Sequence, residues 1–165
     1  MSAVMNLVFP ELLYLNDYGG NYDNYFNAVY AVFENHFIKS KNYFHGTIVT
    51  APKFPLEENI HRTFYHITHE GEEEKDRTPD MRRMERIKFP KFIIKGSPHD
   101  ELLVWKNKRR GQNRILIFNE AEGYLLVLTD RKKYLLLCTA YVIDTNHRKT
   151  KLIKEYEAYK NAKTA

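Results

Sequence analysis

Histidine, arginine and hydroxyl side chains recur in this chain at spacings that suit one kind of chemistry. His66 lies near the end of an aromatic and β-branched run, Ile60–Thr68, and histidine is the side chain that titrates near neutral pH. Arg82, Arg83 and Arg86 follow on a predicted helix, where Arg82 and Arg86, four apart, share one face. Thr139 and Tyr141, two apart in a predicted strand, point to one side and interrupt a run of aliphatics. Metal-free cleavage of RNA needs these residue types. A 2′-hydroxyl attacks the neighbouring phosphorus, so a general base and a general acid are required, the role open to His66. Guanidinium forks from Arg82 and Arg86 would hold the phosphoryl oxygens, and the Thr139 and Tyr141 hydroxyls would add hydrogen bonds to them. Arg83, Lys108, Arg109, Arg110 and Arg114 are candidates for further phosphate contacts, and Trp105 is a candidate platform for an unpaired base.

Each of these residues also has a plainer reading. His66 can be hydrogen-bonded at a strand end, Arg82 and Arg86 can pair with Glu85 or an acidic loop, and Thr139 can be an ordinary strand residue. Trp105 can be core. Other chemistries have less to stand on. In a strand, His61 and His69 share one face and His66 takes the other, which argues against a compact metal site. No HExxH, glycine-rich phosphate loop or G-x-S-x-G elbow occurs. Cys138 sits in an apolar strand and reads as a buried core thiol. No metal and no cofactor are expected.

The charge pattern supports an anionic partner. Residues 1–60 and 61–80 each carry a net −3, residues 81–114 carry +8 from 11 basic and 3 acidic side chains, and residues 115–165 carry +3. A net +5 therefore hides a basic block between Met81 and Arg114, which attracts a polyanion or forms a solvated surface.

The elements that must position these residues read as follows. Tyr22–Ser40 has apolar residues at helical spacing, with Asn21 or Asp23 as cap. A short helix around Pro10–Asn16 precedes it. Phe44–Thr50 and Ile60–Thr68 read as strands. Residues 51–59 and the acidic stretch 70–76 read as loops. A basic helix runs from Thr78 or Asp80 to Arg86 or Lys88 and ends at Pro90. Phe92–Lys95 is a brief apolar segment, and Glu101–Lys106 is a short strand or helix. Arg114–Phe118, Tyr124–Thr129 and Tyr134–Ile143 are strands joined by turns short enough to force an antiparallel meander. The last two are apolar on both faces, so they are central and covered on both sides. A helix over Thr145–Lys160 carries Leu152, Ile153, Tyr156 and Tyr159 on one side and packs on the sheet. The fold class is α+β: an N-terminal helix, an antiparallel sheet with a C-terminal strand meander, an inserted basic helix and a C-terminal helix.

A chain of 165 residues with 43% hydrophobic and 14% aromatic content supports one folded domain. It is too apolar for a disordered chain. With Cys138 as its only cysteine it has no disulfide framework, which points to a reducing compartment, the cytoplasm. No apolar run approaches the roughly 20 residues of a membrane span, and the N-terminal residues do not form a secretory signal.

The run HRTFYHITHEG, the helix PDMRRMERIKFP, the segment WKNKRRGQNRILIF, the meander YLLVLTDRKKYLLLCTAYVID and the closing KLIKEYEAYK resemble small phage- and prophage-associated members of the barnase–EndoU–colicin–RelE-like nuclease superfamily. The similarity spans about residues 44–160, leaving residues 1–40 as a helical N-terminal extension. The resemblance implies an N-terminal helix followed by a four-stranded antiparallel sheet. It implies a metal-independent ribonuclease acting on tRNA, mRNA or other RNA, toxin-like and with an immunity or host protein as a further partner. It places the site at His66, at Arg82 or Arg86, and at Thr139. Two alternatives stand beside this reading: a nucleic-acid-binding protein without catalysis, and a phage factor that binds a host protein. Exposed aromatics leave a homo-oligomer open.

Overall fold

The computed structural model describes residues 6–52, 56–57, 60–71 and 77–164. Helix α1 (Tyr22–Phe33) is capped by Asn21, whose side chain accepts from the Asn24 amide, and it buries Tyr25, Val29, Tyr30 and Phe33. A wider π-helical turn, Glu34–Ile38, continues it. The helix expected around Pro10–Asn16 is instead a single 3-10 turn, Leu15–Tyr18. Strands β1 (Asn42–Phe44) and β2 (Thr47–Thr50) then form a hairpin around His45 and Gly46.

The strand expected over Ile60–Thr68 is a correction. Only two-residue strands, β3 (Leu56–Glu57) and β4 (Ile60–His61), form here, and Arg62–Thr68 is helix α2. Thr63, Phe64, Ile67 and Thr68 are its buried residues, and this spacing makes one helical face. A short aromatic and β-branched run fits either state, and the tertiary core decides it. A second short ladder, β5 (His69–Glu70) with β6 (Thr78–Pro79), follows. The expected acidic loop over residues 70–76 lies outside the described residues beyond Gly71. Asp80 caps α3 (Met81–Glu85), accepting from the amides of Arg82 and Arg83. Pro90 does not end a helix but stands in the first turn of α4 (Phe89–Gly96), where its missing N–H costs nothing.

Strands β7 (Leu103–Arg109), β8 (Gln112–Asn119), β9 (Tyr124–Asp130) and β10 (Leu135–Val142) form the meander. Arg110 and Gly111, with φ of 51° and 75°, turn β7 into β8, the conformation that two-residue hairpin loops favour. Gly123 turns β8 into β9, and any side chain there would meet the Ile143 carbonyl at 2.9 Å. The sheet has six strands in the order β1-β2-β10-β9-β8-β7. It is antiparallel except where β10 meets β2, parallel over Leu135 and Leu136. Beyond Leu136, α2 packs alongside β10.

Strand β10 changes parity within its length. Leu137 pairs with Leu128 and Thr139 with Val127, so Cys138 is an extra residue, a β-bulge. Before it, Leu135 and Leu137 face the core under the N-terminal helices. After it, Tyr141 and Ile143 face the opposite side, where α5 (Asn146–Thr164) packs. The molecule thus has three layers. Residues of α1, α2 and α4 form one core with Ile115, Ile117, Leu126 and Leu128. Leu152, Ile153, Tyr156 and Tyr159 of α5 cover Trp105, Leu116, Phe118, Leu125 and Val127 on the other face. The α+β class and the covered central strands match the sequence reading. Among the described residues, no helix is long and apolar enough to cross a membrane.

Candidate functional site

Helix α5 does not cover its whole sheet face. Between the uncovered part, the end of α2 and helix α3 lies a cleft of about 540 Å3. His66 and His69 come from α2 and its C-cap, Arg83 from α3, and Arg77 from the position just before β6. Arg109, Arg110 and Arg114 come from the β7–β8 hairpin, and Thr139 and Tyr141 from β10 beyond the bulge. The described lining therefore holds five arginines and two histidines, and no carboxylate. Among the described residues, no three His, Cys, Asp or Glu side chains gather to hold a metal ion.

Arg83 locks two walls together. Its Nε donates to Asp80 Oδ2 at 3.1 Å, and its Nη1 donates to the carbonyls of His69 at 2.6 Å and His66 at 3.4 Å. Its guanidinium stands over the Tyr141 ring, 5.3 Å from the centroid. Thr139 Oγ1 donates to the His66 carbonyl at 3.0 Å, tying β10 to α2. That bond uses the only hydroxyl proton, so Thr139 cannot donate to a phosphate as expected. Arg114 is aimed from below: its Nε donates to Asn107 Oδ1 at 3.0 Å, and Asn107 Nδ2 donates to Glu155 at 3.2 Å. Arg77 Nη1 is buried and has no hydrogen-bond partner among the described residues, a donor set in the wall of a basic cleft.

His69 is the most informative group. It is buried, and desolvation together with the charges of Arg77 and Arg83 pushes its pKa down to about 4. It is therefore neutral at pH 7. Thr68 Oγ1 lies 2.7 Å from the Phe64 carbonyl and 2.8 Å from His69 Nδ1. A carbonyl only accepts, so the hydroxyl proton goes to Phe64 and Nδ1 must carry its own proton to donate back. The tautomer is thereby set, and Nε2 keeps a bare lone pair. The sequence leaves open which of His61, His66 and His69 is functional, and a strand would put His69 on the face away from His66. In the structure both histidines line the same cleft. Arg77 was missed because it falls between the acidic stretch 70–76 and the predicted basic helix.

Four expected residues stand elsewhere. Arg82 is half exposed and bonds Asp144 at 3.1 Å. Arg86 lies by Glu85 at 3.6 Å, donates to the Arg82 carbonyl and stacks over Phe89. A five-residue α3 turns only Arg83 toward the cleft. Trp105 is 1% exposed, packed beneath α5 against Tyr156, with its Nε1 bonded to Glu155, so it is no platform for a base. Lys108 is exposed and does not line the cleft, since alternation along β7 turns its neighbours Asn107 and Arg109 to that side. Cys138 is half-buried at the bulge and forms part of the cleft wall, rather than being a buried core thiol. Comparison with known proteins finds no matching family model, no matching curated protein and no matching solved structure.

Proposed function

We propose that the chain is a metal-independent endoribonuclease of the barnase–EndoU–colicin–RelE-like kind, phage-associated as its resemblance implies, with the arginine-lined cleft as its active site. The observation that carries this reading is the convergence of five arginines and two histidines, from elements far apart in sequence, on one cleft whose described lining has no carboxylate. Such a site favours a phosphodiester over any cationic or neutral ligand. Guanidiniums bind phosphoryl oxygens in pairs and stabilise the charge that builds there as the transition state forms. His69 Nε2, the bare nitrogen, accepts the 2′-hydroxyl proton. The 2′-oxygen bonds to phosphorus, the bond to the 5′-oxygen breaks, and His66 supplies that oxygen with a proton. The products are a 2′,3′-cyclic phosphate and a free 5′-hydroxyl. Arg77, whose Nη1 has no partner among the described residues, and Arg114 take the non-bridging oxygens.

The test is cleavage of unstructured RNA in EDTA, with cyclic-phosphate ends as readout. His69→Gln and Arg114→Ala are each expected to lower the rate at least a hundredfold. Full activity in His69→Gln refutes the assignment of the base, and no cleavage of any RNA refutes the enzyme reading. A second reading, RNA binding without cleavage, draws on one observation. The Thr139 hydroxyl and three donor contacts of Arg83 are already spent inside the protein. That reading expects binding that weakens steeply with salt and no product.

A further inference from the structure

Arg109, Arg114 and Tyr141 line the cleft and also a second groove, of about 290 Å3, that runs along the first turns of α5. From this we propose that the two cavities form one track for single-stranded RNA of about four or more nucleotides, so that the substrate is a strand and not an isolated nucleotide. The inference rests on the RNA reading of the cleft and deepens it.

The second groove has the two components such a track needs. Its cationic wall is Arg148 and Lys151, with His147 beside them, which α5 presents at helical spacing. Its floor is apolar, from Leu116, Leu125 and Ile143. Single-strand grooves combine cations along the backbone with an apolar, aromatic surface beneath the bases, and in this groove Tyr141 is the aromatic side chain beside the apolar floor. Tyr141 joins the cavities physically. Arg83 stands over its ring at 5.3 Å and Arg148 at 6.0 Å, so one ring carries a guanidinium from each cavity. The single carboxylate of the second groove, Glu155, already accepts from Trp105 and Asn107. Its charge is therefore opposed locally, and the backbone is drawn to the Arg148 and Lys151 side. Through Asn107 it also aims Arg114 at the junction. A single phosphate can occupy one part of this track only.

The experiment compares a dinucleotide and a hexanucleotide of the same uncleavable 2′-deoxy or 2′-O-methyl backbone in a fluorescence binding titration. Wild type is expected to bind the hexanucleotide at least tenfold more tightly. The double variant Arg148→Ala/Lys151→Ala is expected to lose that advantage. Two lost phosphate contacts lower the salt slope by about 1.4, which is about a 25-fold change at 0.1 M salt. Lys154→Ala/Lys160→Ala, which removes the same charge from the same helix outside the groove, is expected to keep the advantage. Equal affinity of wild type for both lengths overturns the track, and so does a full length advantage in Arg148→Ala/Lys151→Ala. No binding of either probe overturns the RNA reading itself, and the track with it.

Discussion

Acidification will destabilise this protein through His69, and replacing that residue will remove its share of the effect. In the unfolded chain the imidazole titrates at 6.5, whereas in the folded chain it titrates at about 4. As pH falls through 6.5 the unfolded chain takes up a proton that the folded chain refuses. Stability is therefore complete above pH 6.5, declines between 6.5 and 4, and is unaffected by this residue below that. The gap corresponds to about 3 kcal/mol, of which about 1.4 is lost by pH 5.5 and about 2.5 by pH 4.5. The assay is urea unfolding at pH 7.5, 6.5, 5.5 and 4.5 for wild type and His69→Gln. His36, whose pKa is also lowered by burial and by nearby lysines, contributes alike to both proteins and cancels in the difference. The wild-type-minus-variant stability should fall along the stated curve. Imidazole NMR should give a midpoint near 4 and an Nδ1-protonated tautomer. A midpoint at 6 or above, or a difference that does not change with pH, refutes both the desolvation argument and the assignment of Nε2 as a poised lone pair.

Three other substitutions separate the cleft from its surroundings. Arg83→Ala removes charge-assisted bonds to Asp80 and to the His69 carbonyl together with the Tyr141 contact, and should cost about 3 kcal/mol in urea unfolding; a cost below about 1 kcal/mol would show that it does not hold the walls together. Trp105→Ala should cost about 3–5 kcal/mol by emptying a buried site. In wild type, saturating RNA should leave the emission of this sole tryptophan largely unchanged, and strong quenching would place a base on it after all. Arg82→Ala should change stability by less than about 1 kcal/mol, because its pair with Asp144 is half exposed, while NMR should show the Asp144 carboxyl, now held below its ordinary range chiefly by the Arg82 hydrogen bond, rising toward it.

The meander and the C-terminal helix were legible because apolar runs at 124–129 and 134–143 are bounded by short turns, and Leu152, Ile153, Tyr156 and Tyr159 mark one helix side. The segment around His66 was not legible. Seven residues of mixed aromatic and β-branched character carry no period that separates helix from strand, and the error reassigned His69 to the wrong surface. The arginines divided for a related reason. The structure brings Arg109 and Arg114 of the β7–β8 hairpin to the cleft, although only Arg114 stood in a segment read as a strand. Those of α3 depended on which way a five-residue helix faces, and only its capping by Asp80 and docking on β10 decide that. Trp105 looked available for stacking because nothing local shows that a helix 50 residues away lies over it.

The extra residue at Cys138 makes the site depend on counting rather than on identity. Every side chain downstream of it owes its orientation to Thr139 standing opposite Val127. Many side chains can occupy the bulge and preserve that pairing. Deleting Cys138 itself would leave Leu137 opposite Leu128 and Thr139 opposite Val127 and so keep Tyr141 and Ile143 on the cleft side, whereas deleting Ala140, beyond the bulge, would send Tyr141 and Ile143 into the core beneath α1 and bring Val142 out under α5. In the last strand the place of a one-codon deletion therefore decides more than the chemistry of the residue lost.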